Sequence, residues 1–422
     1  MAIGIGAGGI AGMAVEQLSP PVQSALATAA SGGTILAGTY IYAVTAINAL
    51  GETTISNERT IVTTGSVSTV TVTWAAVTGA TGYRLYKTAA GGLTGTELFY
   101  KAVGLVTTDI DTTPGSPAGA IPATNTAVTP GVFAAPTKFF PFTSETITTP
   151  QDTVFRRPIR QSADVIGAIP GNFHVEGDLA LESLEDVVLY FLWASRSSIA
   201  KTGSSPNFTY TIIPTPAAVA NKTLSITIVR NGIVHGYTGV CLSGFTFGVD
   251  NGILTFQTTV KGRDEAVQSL PVPTWPTTVP FGAGQYSVEI PTGSPVLDTD
   301  TFSFKVEDNA DAQFRLKNTG RGAQFIKYGE RASTMTMERD FESRADYDAY
   351  KALTAQSITV TASKGANNSI SLLAPVAIKD TYSVGLSGQG DLVRASITYQ
   401  DIVDGTGKSW QVVIKTQEDI IP

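Results

Sequence analysis

The feature that most limits what this chain can fold into is a repeat. A strand-like run, Phe173-His174-Val175-Glu176-Gly177-Asp178-Leu179-Ala180-Leu181-Glu182, leads into a helical one, SLEDVVLYFLWASRS; MTMERDFE leads into SRADYDAYKALTA in the same way. Phe173, Val175, Leu179 and Leu181 fall on one side of the first run and His174, Glu176, Asp178 and Glu182 on the other, the period of two of a half-buried strand. Ser183 and Ser343 take helix N-cap positions with Asp186 and Asp346 three residues on, a capping box with Asp in place of Glu. Aligning the two serines sets Asp178 against Glu338, Glu182 against Glu342 and Tyr190 against Tyr350. Downstream, Leu242-Ser243-Gly244 matches Leu386-Ser387-Gly388. Phe256-Gln257 with Val260-Lys261-Gly262 matches Tyr399-Gln400 with Val403-Asp404-Gly405. Matches recurring in one order predict a duplication, with sibling β-rich units over 129–272 and 273–422.

The composition supports a mainly β fold with short helices. Hydrophobic residues make up 42% of the 422 positions, enough for several cores, and charged residues only 15%, where about 25% is usual. Gly (42) and Pro (22) among many Val, Ile and Thr favour strands joined by tight turns. A formal net charge of −7 argues against a general nucleic-acid binder, which needs cations to displace counterions from phosphates. The single cysteine, Cys241, rules out an internal disulfide framework and a Cys-rich zinc site. The N-terminus lacks the basic region of a signal peptide, and no apolar run is long enough to span a membrane, so the expected product is soluble and made in the cytoplasm.

Ahead of the repeat the texture changes twice. Residues 1–19 read as a Gly-rich arm. Between 20 and 128, Tyr40, Tyr42, Val44 and Ala46 alternate with outward positions, as do Val70, Val72 and Trp74, and Tyr83 and Leu85 follow. Turn signals at Ala49-Leu50-Gly51, Thr78-Gly79 and Ala90-Gly91-Gly92 separate these runs, which predicts a β-sandwich. GTYIYAVTAINALGE and VTVTWAAVTGATGYRLYK resemble fibronectin type III and immunoglobulin-like modules, with the strand order swapped. Residues 112–136, rich in Pro, Gly, Ala and Thr, read as a linker.

Motifs that could carry chemistry are weak. Gly4-Ile-Gly6-Ala-Gly8-Gly9 has the letters of a dinucleotide loop but neither the preceding strand nor the acidic residue such a site needs. Asp109 with Asp111, and Asp298 with Asp300, could each hold a cation, although turn chemistry explains them more cheaply. His174 and His235 lie far apart with no nucleophile pattern, and Gly385-Leu-Ser387-Gly388-Gln389 lacks the last glycine of a nucleophile elbow. Trp74, Tyr83 and Tyr86 could form a sugar platform, but alternation points Trp74 inward. Arg156, Arg157 and Arg160 form a small basic cluster, and Cys241 sits in an apolar run that buries it. No enzyme, cofactor or metal is expected.

Several stretches together resemble a known family. MAIGIGAGGIAGMAVE, GVFAAPTKFFPFTSETI, YTGVCLSGFTFGVDNGILTFQTTVKGRDE and FRLKNTGRGAQFIKYGERASTMTMERDFESRADYDAYKALTA are similar to the major tail tube proteins of long-tailed, non-contractile (siphovirus-type) bacteriophages. In that family the Gly-rich start runs straight on into a segment like GVFAAPTKFFPFTSETI, so the resemblance implies that the sandwich at 20–128 is an insertion into the first of two tube domains. The fold implied is α+β, with duplicated half-barrels that neighbouring copies complete. The function implied is a structural one in the virion tail: trimeric, pseudo-sixfold rings stacked into a channel for DNA, alongside tape measure and tail completion proteins. An acidic wall lets DNA slide, and Glu176, Asp178 and Glu182 with Glu338, Asp340 and Glu342 are the candidate lumen residues. The competing reading makes them ordinary solvated strand faces or helix N-terminal charges. The inserted sandwich would project outward and could touch host-surface glycans weakly. An adhesin-like, glycan-binding multidomain protein is the alternative for the whole chain.

Overall fold

The Gly-rich start is not an arm throughout. Ile10–Val15 forms a strand, β1, whose Ala11, Met13 and Ala14 are buried. Small side chains let it sit between two neighbours and pair with both. The computed structural model describes residues 9–114, 118–157, 164–165, 167–316, 320–385 and 392–419. By contact the chain divides into two units, Met1–Val15 with Gly131–Ile421, and Glu16–Pro130. The smaller unit takes in Leu18, which packs into its core, and Thr129, which donates its N–H to the Glu16 carbonyl.

Among its described residues the smaller unit holds seven strands: β2 (Ala27–Ala29), β3 (Gly38–Ile47), β4 (Arg59–Thr63), β5 (Thr69–Thr73), β6 (Gly82–Lys87), β7 (Leu98–Val103) and β8 (Thr108–Asp111). They form a three-stranded sheet, β2-β5-β8, and a four-stranded one, β4-β3-β6-β7. Tyr40, Tyr42, Val44, Ala46, Tyr83 and Leu85 from one sheet meet Val70 and Val72 from the other in one apolar cluster. Part of the expected linker belongs to this unit. Asn125 and Ala127 are buried, and the Asn125 amide donates to the Leu18 carbonyl (2.8 Å) while its oxygen accepts from Ala127 N–H (3.0 Å). A side chain that satisfies the backbone on both sides allows a polar strap to be buried.

In the larger unit the chain continues through β9 (Lys138–Phe140), β10 (Ser144–Glu145), β11 (Gln151–Arg156), β12 (Gly167–Phe173), β13 (Val175–Glu182), α1 (Glu185–Trp193), β14 (Ser197–Ser204), β15 (Asn207–Pro214), β16 (Leu224–Arg230), β17 (Ile233–Asp250), β18 (Ile253–Gly262) and β19 (Asp264–Val267). It then passes through β20 (Tyr286–Glu289), β21 (Pro295–Val296), β22 (Thr299–Glu307), β23 (Asp311–Gln313), β24 (Phe325–Lys327), β25 (Ala332–Asp340), α2 (Ala345–Lys351), β26 (Gln356–Ser363), β27 (Ser369–Gly385), β28 (Arg394–Asp401) and β29 (Gln411–Thr416).

Two long strands carry this architecture, and each changes partners midway. The first half of β17 pairs with β16 and β19, and its second half with β18 and β22. The first half of β27 pairs with β26 and β29, and its second half with β28. Where β17 changes partners, Gly239 has φ 63°, and a Cβ there would lie 2.6 Å from Arg263 Cγ. Glycine takes that backbone without strain and leaves room for that approach. In β27 the bend region contains Pro375, a residue confined to edges and bulges of sheets.

The antiparallel order through the second halves is β10-β13-β18-β17-β22-β25-β28-β27. Residues 131–421 lie in one contact unit. The β17–β22 ladder joins the stretches before and after position 272, and β15 pairs with β29 across the same division.

Neither expected capping box forms, although the Ser343 hydroxyl does accept from the Ala345 N–H at 3.3 Å. The N-caps are Leu184 and Arg344, neither with a side-chain cap bond. The Ser183 hydroxyl is buried without a partner, and Asp186 is drawn instead into an ion pair with Lys138. Asp346 likewise pairs with Lys379 (2.5 Å) and Arg339 (3.1 Å). Tertiary ion pairs outbid the local capping box at both sites. Helix α1 buries Val187, Val188, Leu189, Phe191, Leu192 and Trp193, whereas α2 buries no side chain.

Candidate functional site

The long sheet presents one polar face across all eight strands. Along β13, Val175, Leu179 and Leu181 are buried while Glu176 and Glu182 are half-buried and Asp178 is exposed. Directly across on β18 stand Lys261, Thr259 and Thr255, opposite Glu176, Asp178 and Glu182. The row continues onto β17 at Gly244, Thr246 and Gly248, and onto β22 at Glu307, Lys305 and Ser303. It passes to β25 at Thr334, Thr336 and Glu338, to β28 at Gln400, Thr398 and Ser396, and to β27 at Thr381 and Ser383. The buried row between these positions is apolar: Phe302, Phe304, Val306, Met335, Met337, Ile397 and Tyr399. Strand alternation produces this division, because the residues of one parity along these strands are mostly Thr, Ser, Gln, Gly or charged.

Acids outnumber bases on the polar face. Lys261, then His174 at 3.1 Å, holds the Glu176 carboxyl below the usual carboxylate range. Asp178 accepts a hydrogen bond from the Thr259 hydroxyl at 2.7 Å. Lys305 pairs with Glu307 at 2.6 Å, and Arg394 lies 2.8 Å from Asp300 and 4.0 Å from Asp340. Pairing that neutralises the few cations leaves a surface with little to offer a phosphate. Asp178, Thr246, Gln257, Thr259, Lys305 and Glu307 are among the residues lining a hollow of about 700 Å³.

Of the six acids singled out in the sequence, Glu176, Asp178 and Glu182 lie on β13, and Glu338 and Asp340 on β25. Glu342 does not belong with them. The strand ends at Asp340, the last ladder bonds run from Asp340 N–H to the Asp298 carbonyl and from Phe341 N–H to the Val393 carbonyl, and Glu342 is exposed beyond them in the connection to α2. The polar partners on β17, β18, β22 and β28 escaped the sequence reading because Thr, Ser and Gln carry no motif; their two-residue spacing was the only signal.

The other sequence candidates resolve into structure. Asp109 pairs with Lys101 (2.6 Å), and Asp111 with buried Lys87 (2.7 Å) and the Tyr42 hydroxyl (2.8 Å). Asp298 is held by Arg339 and Asp300 by Arg394, so each carboxylate of both pairs faces a cation of the protein itself. Each histidine does have a carboxylate neighbour: His174 contacts Glu176, and His235 contacts Glu265 at 2.6 Å. Trp74 and Tyr83 are buried in the sandwich core with their rings 5.3 Å apart, and buried Tyr86 faces the other side of β6, where its hydroxyl donates to Glu52 at 2.6 Å; no shared sugar platform forms. Arg156 is exposed on the β11–β12 hairpin and Arg157 just beyond β11. Arg160, Leu386-Ser387-Gly388, the rest of the elbow-like run after Gly385 and all of the Gly4–Gly8 run lie outside the described residues. Among the described residues no group of three or more His, Cys, Asp or Glu is placed to hold a metal.

No curated protein matches the chain. A family model described as phage tail tube protein matches residues 123–400, a span that contains the whole polar sheet from β10 to β27 and nearly all of β28. The chain belongs to the phage tail tube protein family.

Proposed function

We propose that this chain forms the wall of a long, non-contractile phage tail as trimeric rings, each chain supplying two like arcs of the channel and the polar face lining it. The observation that carries the reading is the order of pairing, which runs twice. Strand β1 pairs with β16 and β9, as β20 pairs with β26 and β21. Hairpin β11–β12 answers to β23–β24, ladder β13–β18–β17 to β25–β28–β27, and α1 to α2. Both long strands carry a bulge beside the change of partner, between Leu242 and Gly244 and between Lys379 and Thr381. Counted from the bulges, Thr259 answers to Thr398 and Phe256 to Ala395, so the match of Phe256 to Tyr399 made on residue identity is slipped along the strand while keeping the face.

The insertion reading follows from the same order. The β1–β9 connection holds residues 16–130, whereas its counterpart, β20–β21, is the short turn Ile290–Ser294. Residues 16–130, two sheets around one core, are then an immunoglobulin-like module placed in a loop that the second copy keeps short.

Three chains of four plus four strands give six like arcs, and closure removes the sheet edges. DNA sliding past an acid-rich wall meets no array of free cations. Negative-stain and cryo-electron microscopy of the purified, assembled protein test this. Rings of three chains with six similar lobes are expected, and six chains per ring, or a persistent monomer at high concentration, would overturn it. Changing Asp178, Glu182 and Glu338 to Lys should leave tubes intact while slowing DNA ejection and making it depend on salt. Ejection at the original rate would remove these residues from the channel wall.

A further inference from the structure

We propose that the outer edge of β27 over Thr381–Gly385 is completed by Thr146–Pro150 of a second copy of this chain, antiparallel, with Ser383 opposite Thr148. This inference rests on the ring reading and adds which edges meet and in what register.

The chain already contains a template for this seam. Inside one molecule the end of the first arc, β17, meets the start of the second, β22, with Thr246 opposite Lys305 and Phe247 opposite Phe304. The corresponding end of the second arc is the last part of β27. Among the described residues it pairs with β28 on one edge and with no strand on the other over Thr381–Gly385, and Thr381, Ser383, Val384 and Gly385 are exposed there. The corresponding start of the first arc is β10 and the residues just after it. These bond to β13 on one edge (Thr146 N–H to Asp178 O, 2.9 Å; Thr148 N–H to Glu176 O, 2.8 Å), and no described strand pairs with the other. The molecule therefore ends in two unmatched edges of the same kinds that match each other in its middle.

The bulges fix the register. Gly244 follows the bulge in β17 as Thr381 does in β27, so Thr246 answers to Ser383. Crossing the two ladders from those points, Thr259 answers to Thr398 and Asp178 to Thr336. Thr146 bonds to Asp178 where Ser303 pairs with Thr336, so Thr148 answers to Lys305. One independent observation agrees. Phe304, which faces the core at the internal seam, then answers to Ile147, and both are fully buried. In the single chain the edge at Ile147 is capped by side chains: Glu145 accepts from its N–H (3.1 Å), and Arg230 (2.6 Å) and Tyr237 (3.1 Å) donate to its carbonyl. Such caps keep a free edge from pairing indiscriminately, and assembly exchanges them for ladder bonds.

Paired cysteines test the register. In assembled tubes of the full chain, Ser383→Cys with Thr148→Cys should oxidise to covalent trimers on a non-reducing gel. Thr246→Cys with Lys305→Cys, the internal counterpart, should close within one chain and leave it monomeric on the gel. The shifted pair Ser383→Cys with Thr146→Cys should cross-link at least tenfold less. Native Cys241 is buried and does not compete. Tubes that form while the shifted pair links better, or while neither links between chains, overturn this seam and leave the tube reading standing. Absence of rings from the unmodified protein overturns both. Should the variants misfold, hydrogen exchange on the unmodified chain decides: alternate amides of Thr381–Gly385 must become protected on assembly, and unchanged exchange there refutes the seam.

Discussion

Asp401 offers a quantitative test of how the sheet core is built. It ends β28 at 6% exposure, and neither carboxylate oxygen has a hydrogen bond. Burial pushes its carboxyl from 3.8 up to about 7, with the nearby Ser333 hydroxyl pulling the other way. The folded chain therefore holds this proton where the unfolded chain has released it, and stability falls as pH rises from about 4 to about 7, then levels off. At about 1.4 kcal/mol per pH unit, the full swing is about 4 kcal/mol, and relaxation of the surrounding protein reduces it to about 2–4 kcal/mol. Asp401→Asn replaces the titrating group with a neutral one of nearly the same shape. Near pH 4 the two chains should be equally stable; at pH 8 the variant should be more stable by that swing. Urea unfolding followed by tryptophan fluorescence reads it, since Trp193 and Trp410 are buried in the same unit as Asp401 while Trp74 reports the sandwich. Unfolding free energies of the two chains that run parallel from pH 5 to 8 would refute the reasoning.

Three further outcomes follow from single sites. Lys87→Met strands the Asp111 carboxylate at 2% exposure with the Tyr42 hydroxyl still donating to it; the sandwich transition should lose about 3 kcal/mol, and a loss below about 1 kcal/mol in urea would show that the pair contributes little. Gly177 has φ 154°, and a Cβ there would lie 2.5 Å from Ile147 Cα. Gly177→Ala must therefore push Thr146–Thr148 off β13, at about 2 kcal/mol or more, read as faster exchange of the Thr148 amide; unchanged exchange would count against that close approach. Burial pushes the Cys241 thiol up to about 12, so the native chain at pH 8 should resist a thiol reagent that labels it fully in urea, and rapid native labelling would show that the strand opens.

Much of the fold was legible because strand alternation is written residue by residue. Val175, Leu179 and Leu181 against Glu176, Asp178 and Glu182, or Val70, Val72 and Trp74 in the sandwich, need no tertiary information to sort into inner and outer faces. Local rules failed where a distant partner offered more. Asp186 and Asp346 looked like the capping-box partners of Ser183 and Ser343 until Lys138, Lys379 and Arg339 were brought to them. The segment Ile10–Val15 looked like a flexible arm because Gly and Ala carry little strand propensity; its place between β9 and β16 makes it core. Glu342 looked like one more residue of an alternating strand, and only the end of the β25 ladder put it in a loop.

The sequence by itself determined that the chain is β-rich, that a stretch of different texture precedes the repeated run, and that one face of its strands is polar and acid-rich. Those properties follow from composition and a period of two, which each strand carries alone. Tertiary structure decided that residues on both sides of position 272 share one sheet, which strands end it, and which acids stand on its polar face. Pairing partners and register depend on ladders between residues far apart in the chain, and alternation, identical in every register shifted by two, cannot specify them.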